Sequence, residues 1–167
     1  MHRFLGALLR QAKETPGYRV VQVSPPHHST RYFRHRGHLR SIHPDAFGVV
    51  RIGGKTYPFF LEWERRAVHP STMAARLAPY LRYYSSNQPL DDHGHRPLVL
   101  VVFDDFIAEG NFLGVARDEM ERSGVEVPFW VSCRELLELV GPLGKAWRSP
   151  DVMEPSSPLL DDTGLGL

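Results

Sequence analysis

Three carboxylates, Asp45, Glu62 and Glu64, stand in a half of the chain that is otherwise poor in acids. They fall within residues 43–64, HPDAFGVVRIGGKTYPFFLEWE, where two runs of β-branched and aromatic residues flank Gly53-Gly54. That pair suits the left-handed dihedrals of a two-residue hairpin turn. With the turn setting the register, Ile52 faces Lys55, Asp45 lies opposite Glu62, and His43 lies opposite Glu64. Residues directly opposite share a face, with β-carbons roughly 4.5–5.5 Å apart. Strand alternation puts Glu64 on that face too, beside Phe60 and Phe47. Like charges directly opposite destabilise a sheet, and half-buried carboxylates are costly without a cation between them. A divalent metal ion would resolve both costs. The alternative is a wet strand end that merely collects acids, or a bulge at Pro58 that shifts the register by one residue.

Charge is divided sharply around these acids. Residues 1–84 carry 14 Lys and Arg against four acids, a balance of +10, while the remainder carries six against 15, a balance of −9. Arginine makes up 17 of the 20 basic residues, which favours planar, bidentate contact with phosphate. Arg31, Arg34, Arg36 and Arg40 interleave with Tyr32 and Phe33, a mixture suited to nucleic acid and equally to an edge strand with its rings turned inward. Arg65, Arg66 and Arg82 belong to the same basic half and join the candidate DNA contacts. The histidines His27, His28, His35, His38 and His43 lack paired metal-ligand spacing, and with one cysteine they do not compose a zinc site.

The elements that must position these residues follow from periodicity and punctuation. Phe4, Leu5, Leu8, Leu9 and Ala12 mark one face of a helix ending before Thr15-Pro16-Gly17. A strand over 18–23 stops at Pro25-Pro26, and 27–40 reads as a basic loop or short strand. After the hairpin, Ser71 or Thr72 caps a helix running to Tyr84, with Leu77, Leu81 and Tyr84 inward and Pro79 predicted to bend or break it. Residues 85–96 form a polar connection, 98–103 a buried strand, 111–122 a helix and 127–131 a short strand. Ser132-Cys133-Arg134-Glu135 has capping-box spacing before a helix ending at Gly141. Residues 142–147 fold back on the body. The expected order is α-β-β-β-α-β-α-β-α, a mixed sheet flanked by helices, with one domain over 1–148 and a flexible acidic, Pro/Ser-rich tail over 149–167.

The segments Pro44-Asp45-Ala46-Phe47-Gly48, FFLEWERR (59–66) and RLAPYLRYY (76–84) resemble the PD-(D/E)XK nuclease superfamily, and within it the plasmid replication-relaxation family. The resemblance runs from about Phe4 to Trp147. It implies an αβββαβ nuclease-like core with an additional αβα, in the α/β (mixed α+β) class. It implies Mg²⁺ or Mn²⁺ held by Asp45, Glu62 and the Trp63 backbone carbonyl, and hydrolysis or nicking of DNA in plasmid or mobile-element replication. Other replication or mobile-element proteins are then expected partners, and His43 and Tyr80 would shape the site.

The departure from the family pattern is chemical. The lysine that orients or activates water in the superfamily is Glu64 here, and Arg76 stands where the replication-relaxation family has Lys. Arginine stays protonated and cannot serve as a general base, so Glu64 would have to position the water. Arg66-Ala67 replaces the family's Gly-Thr. Two readings therefore stay open, a metal-dependent endodeoxyribonuclease with Asp45, Glu62, Glu64 and Arg76 in the catalytic set, and a silent nuclease-like module that binds DNA or a partner. The single Cys133 excludes an internal disulfide and fits a reducing cytoplasm; no apolar run is long enough for a signal peptide or a membrane span.

Overall fold

A computed structural model describes residues 1–64 and 69–160. Helix α1 (His2–Glu14) buries Phe4, Leu8 and Ala12, a stripe at four-residue spacing. Strand β1 (Tyr18–Ser24) ends at the proline pair, and a short 3₁₀ turn (Pro26–His28) leads into β2 (Arg31–His35) and β3 (His38–Ile42). Then come β4 (Ala46–Ile52), β5 (Lys55–Glu64), α2 (Pro70–Tyr84) and α3 (Gln88–His93). Strand β6 (Leu98–Phe103), α4 (Phe106–Ser123), β7 (Phe129–Cys133) and α5 (Arg134–Val140) complete the order.

Strands β1-β4-β5-β6-β7 form one five-stranded sheet in that spatial order, with β2 and β3 forming a separate two-stranded sheet. The pairs β1–β4 and β4–β5 are antiparallel, whereas β5–β6 and β6–β7 are parallel. The fold is thus α+β, a mixed sheet flanked by helices. Alternation sorts the sheet's side chains into two cores. Phe47, Phe60, Val99, Val101 and Phe103 pack with Met73, Leu77 and Tyr80 of α2 and Phe112 and Leu113 of α4. Phe59, Leu61, Leu98, Leu100 and Val102 pack with Phe4 and Leu8 of α1, Leu137 of α5 and the buried Trp147.

Several elements differ from the sequence reading. Residues 27–40, expected as a loop or one short strand, contain most of a hairpin whose turn, Arg36-Gly37, has φ of 50° and 79°. Two positive φ values make the primed turn that closes two-residue hairpins, but arginine at its first position hides the signal. Helix α2 runs unbroken through Pro79. Its cap is the His69 side chain, which accepts from the Ser71 N–H, with Pro70 opening the helix; neither Ser71 nor Thr72 is the cap. Residues 85–96 contain α3. Helix α4 begins at Phe106 rather than Asn111, because Asp105 Oδ1 accepts the Ala108 N–H at 2.7 Å. Strand β7 lies at Phe129–Cys133 rather than 127–131, and the α5 cap, Cys133, makes no side-chain capping bond, so the capping box is absent. Residues 149–160, read as the start of a mobile tail, lie on the body: Trp147 and Ser156 pair through their backbones, and Leu159 is buried. Residues 161–167 are outside the described residues.

The hairpin that carries the acids tolerates little added volume. A β-carbon on Gly48 would collide with the ring of Phe59, which is itself buried. Gly48→Ala is expected to cost about 1–3 kcal/mol through overpacking, read as a lowered thermal midpoint.

Candidate functional site

The β4–β5 register is the one the Gly53-Gly54 turn dictates, running from Ile52↔Lys55 through Val49↔Pro58 to Ala46↔Leu61 without a shift. No bulge occurs at Pro58; the sheet's irregularity falls between Val20 and Gln22 on β1. One residue past Ala46, the Asp45 N–H donates to the Leu61 carbonyl at 2.9 Å. Its side chain turns back along β5, where Oδ2 accepts the Trp63 N–H at 2.7 Å. The N–H and C=O of one strand residue point to the same edge. The Trp63 carbonyl therefore also faces the β4 edge, beyond the end of the β4–β5 ladder.

Arg76 and Tyr80 lie one helical turn apart on α2, so both reach toward the end of β5. The Tyr80 hydroxyl donates to Glu62 Oε1, and the Arg76 guanidinium forms an ion pair with Glu64. Asp45, Glu62, Trp63, Glu64, Arg76 and Tyr80 line one cleft of about 740 Å³. His43 lines it too, but at the exposed rim, with Nε2 2.8 Å from Ser41 Oγ and Nδ1 3.2 Å from Thr30 Oγ1. Its ring is held by hydroxyls rather than by Glu64. Sequence alone could not supply those hydroxyl partners, since Thr30 reaches His43 only because β2 folds back along β3.

Burial raises the Glu62 carboxyl to a pKa of about 7; the Tyr80 hydrogen bond opposes the shift, the Asp45 charge adds to it and the Arg76 charge opposes it. Burial and the Glu62 charge push the Tyr80 hydroxyl well above the usual phenol range, so it stays a donor. Among the described residues no group of three His, Cys, Asp or Glu is placed to hold a metal ion. The smaller set of Asp45 Oδ1, Glu62 Oε2 and the Trp63 carbonyl is all oxygen, and neither carboxylate oxygen has a hydrogen-bond partner among the described residues. Such donors fit a hard divalent cation that keeps several waters.

The raised Glu62 pKa has a thermodynamic consequence. Between its ordinary 4.5 and about 7 the folded state binds more protons than the unfolded chain, so this group's stability contribution declines as pH rises through that window. Glu62→Gln removes the decline. With chelator present, the variant is expected to exceed wild type in stability above pH ~7, by roughly 3 kcal/mol at most, and the difference should close below pH ~4.5. Denaturant titrations across pH check this. Mn²⁺ added at neutral pH should stabilise wild type and not the variant.

Among the described residues, the expected DNA-contacting arginines do not form one strip. Arg31 is used inward, with its guanidinium 4.5 Å from the Phe47 ring centre and 5.6 Å from that of Phe60. It also donates to His93 Nε2 at 3.4 Å and to the His28 and Thr30 carbonyls. Burial and the Arg31 charge hold the His93 pKa down at about 4, so its imidazole is a neutral acceptor. Arg34 pairs with Leu39 on the face away from buried Phe33, whereas Arg40 lies opposite Phe33 and shares its face. Arg82 is partly buried in the last turn of α2. Arg65 and Arg66 lie outside the described residues.

Comparison with protein-family models, with curated proteins and with solved structures finds no match to this chain.

Proposed function

We propose that the chain is a divalent-metal-dependent nuclease-like protein that hydrolyses or nicks DNA phosphodiester bonds, acting in plasmid or mobile-element replication. The observation that carries the reading is the cleft at the end of β5, lined by both Asp45 and Glu62, where Asp45 Oδ1 and Glu62 Oε2 have no hydrogen-bond partner among the described residues. The order α1-β1-β4-β5-α2-β6, with the β2–β3 hairpin and α3 as additions, supports a PD-(D/E)XK-like core.

Asp45, Glu62 and the Trp63 carbonyl would hold Mg²⁺ or Mn²⁺. The chemistry such an ion supplies when bound is Lewis acidity toward the phosphoryl oxygen and a lowered pKa for water. Tyr80 orients Glu62 through its hydroxyl, and the Trp63 N–H orients Asp45, so both carboxylates are aimed before substrate arrives. Arg76, half exposed at 51%, offers a fixed positive charge to a phosphate entering the cleft, while Glu64 positions the attacking water.

One observation favours a second reading, a silent DNA-binding or partner-binding module. Glu64, only 14% exposed, is already neutralised by Arg76, so neither residue stands free in the absence of substrate. Incubation of the protein with supercoiled plasmid separates the two. Nicking with Mg²⁺ or Mn²⁺ that chelator abolishes is the expected result; intact plasmid with retained DNA binding leaves the module.

A further inference from the structure

We infer that Arg36, Arg40 and Arg82 form a clamp for the nucleic-acid backbone at the tip of the β2–β3 hairpin, distinct from the metal cleft. The inference rests on the DNA reading above and specifies which surface grips the strand. Phe33 anchors the hairpin on α2, its ring packing edge-on against Tyr83 at 5.3 Å. Arg40 shares the face of Phe33 and so points toward α2, whose last turn carries Arg82 next to Tyr83. His35, two residues beyond Phe33 on that same face, pairs with His38, and Arg36 forms the turn between them.

None of Arg36, Arg40 and Arg82 takes part in an ion pair among the described residues. Arg82 Nε is buried with no hydrogen-bond partner there. Burial and the charges of Arg36, Arg82 and Arg40 together lower the His35 pKa, so all three charges act on this end of the hairpin. Clustered cations with a buried, unused N–H are unfavourable unless an anion completes them. Phosphate does so, two of its oxygens accepting from the planar, bidentate fork of a guanidinium.

The clamp also stands in reach of the acids. Asp45 lies five positions after Arg40, so their α-carbons are at most about 18 Å apart when the chain is fully extended. At about 3.4 Å per base step, that is roughly five steps along duplex DNA. A duplex gripped by the clamp would then be long enough to reach the metal cleft, with the clamp setting which phosphate falls there.

The test compares the full-length protein with two triple variants in anisotropy titrations of a labelled DNA duplex at several salt concentrations. In the clamp variant, Arg36→Gly suits the positive φ of that residue, and Arg40→Gln and Arg82→Gln keep polar side chains. The control variant, Arg19→Gln, Arg51→Gln and Lys55→Gln, removes the same charge from exposed positions near the Gly53-Gly54 turn. The clamp variant should lose at least roughly tenfold in affinity at about 100 mM salt, and its log–log salt slope should flatten by about 2. Lysine at all three clamp positions should restore most of the slope, which a folding defect would not. Equal losses in the two triple variants overturn the clamp, as does an unchanged slope in the clamp variant. If that unchanged slope accompanies metal-dependent plasmid nicking, the clamp fails while the nuclease reading stands. Asp45→Ala that binds DNA with the wild-type slope but lacks nicking supports the separation of the two sites. Binding of wild type to phosphatidylserine vesicles but not to DNA overturns the nucleic-acid assignment.

Discussion

Asp45→Ala is expected to abolish measurable Mn²⁺ binding in calorimetric titration, and metal-dependent nicking with it. Loss of an outer hydrogen-bonding partner typically costs a metal site about 10–100-fold, so loss of a direct carboxylate ligand should exceed roughly 100-fold. A second effect must be separated from the expected loss of metal binding, because Oδ2 accepts the Trp63 N–H at 2.7 Å. Removing that acceptor leaves the N–H without its partner and disturbs the end of β5, which alone could blunt the site. Asp45→Asn separates them, since its amide oxygen can still accept from Trp63 while the negative charge is gone. If charge toward the cation is what matters, Asn should fail nearly as badly as Ala in binding yet melt close to wild type. Wild-type Mn²⁺ affinity in both variants would sink the metal site, and the carboxylate would then be a strand-end clamp only.

The end of this hairpin shows what is legible in the sequence and what is not. Gly53-Gly54 fixes the hairpin register because its two positive φ values match the strand twist, and from that register the meeting of Asp45 and Glu62 follows. Alternation then places Glu64 on the same face. Hydrogen-bond partners carry no such local signature. The Trp63 N–H becomes available to Asp45 only because the β4–β5 ladder ends at Ala46, and Glu62 meets Tyr80 only once α2 lies across the sheet. Pro79, with no N–H to give, reads in the sequence as a bend or break in the helix. The cost of that lost bond, about 3 kcal/mol, is local, whereas Leu77, Tyr80, Leu81, Tyr83 and Tyr84 all gain burial by staying helical. The arginines were hardest to place. A run rich in Arg reads as one basic strip, yet strand pairing sends Arg34 to one face and Arg40 to the other, and Arg31 settles over two phenylalanine rings.

Glu64→Gln is expected to retain DNA affinity and lose cleavage, by about 10²–10⁴-fold if the carboxylate positions or deprotonates the attacking water. Glu64 follows Glu62 by two residues, so its side chain projects from the same face about 6–7 Å farther along the strand. From there it can address a water beside the cation without displacing Asp45 or Glu62. Its ion pair with Arg76 sharpens the prediction, because the same guanidinium that would steady a phosphate also holds this carboxylate. Arg76→Ala should therefore lower cleavage through two routes, a freed Glu64 and a phosphate that lacks its cation. Glu64→Lys alone brings an ammonium group against that guanidinium, and the repulsion should suppress activity even if lysine is otherwise competent. Combining Glu64→Lys with Arg76→Glu keeps an ion pair of reversed polarity and places the amine where it can act on the water. Recovery of nicking in the double variant above either single variant would show that the position needs a water-orienting group and not a carboxylate as such. If Glu64→Gln nicks plasmid at the wild-type rate with Mg²⁺ and with Mn²⁺, Glu64 has no part in the chemical step, and its pairing with Arg76 serves only to fasten α2 to the end of β5.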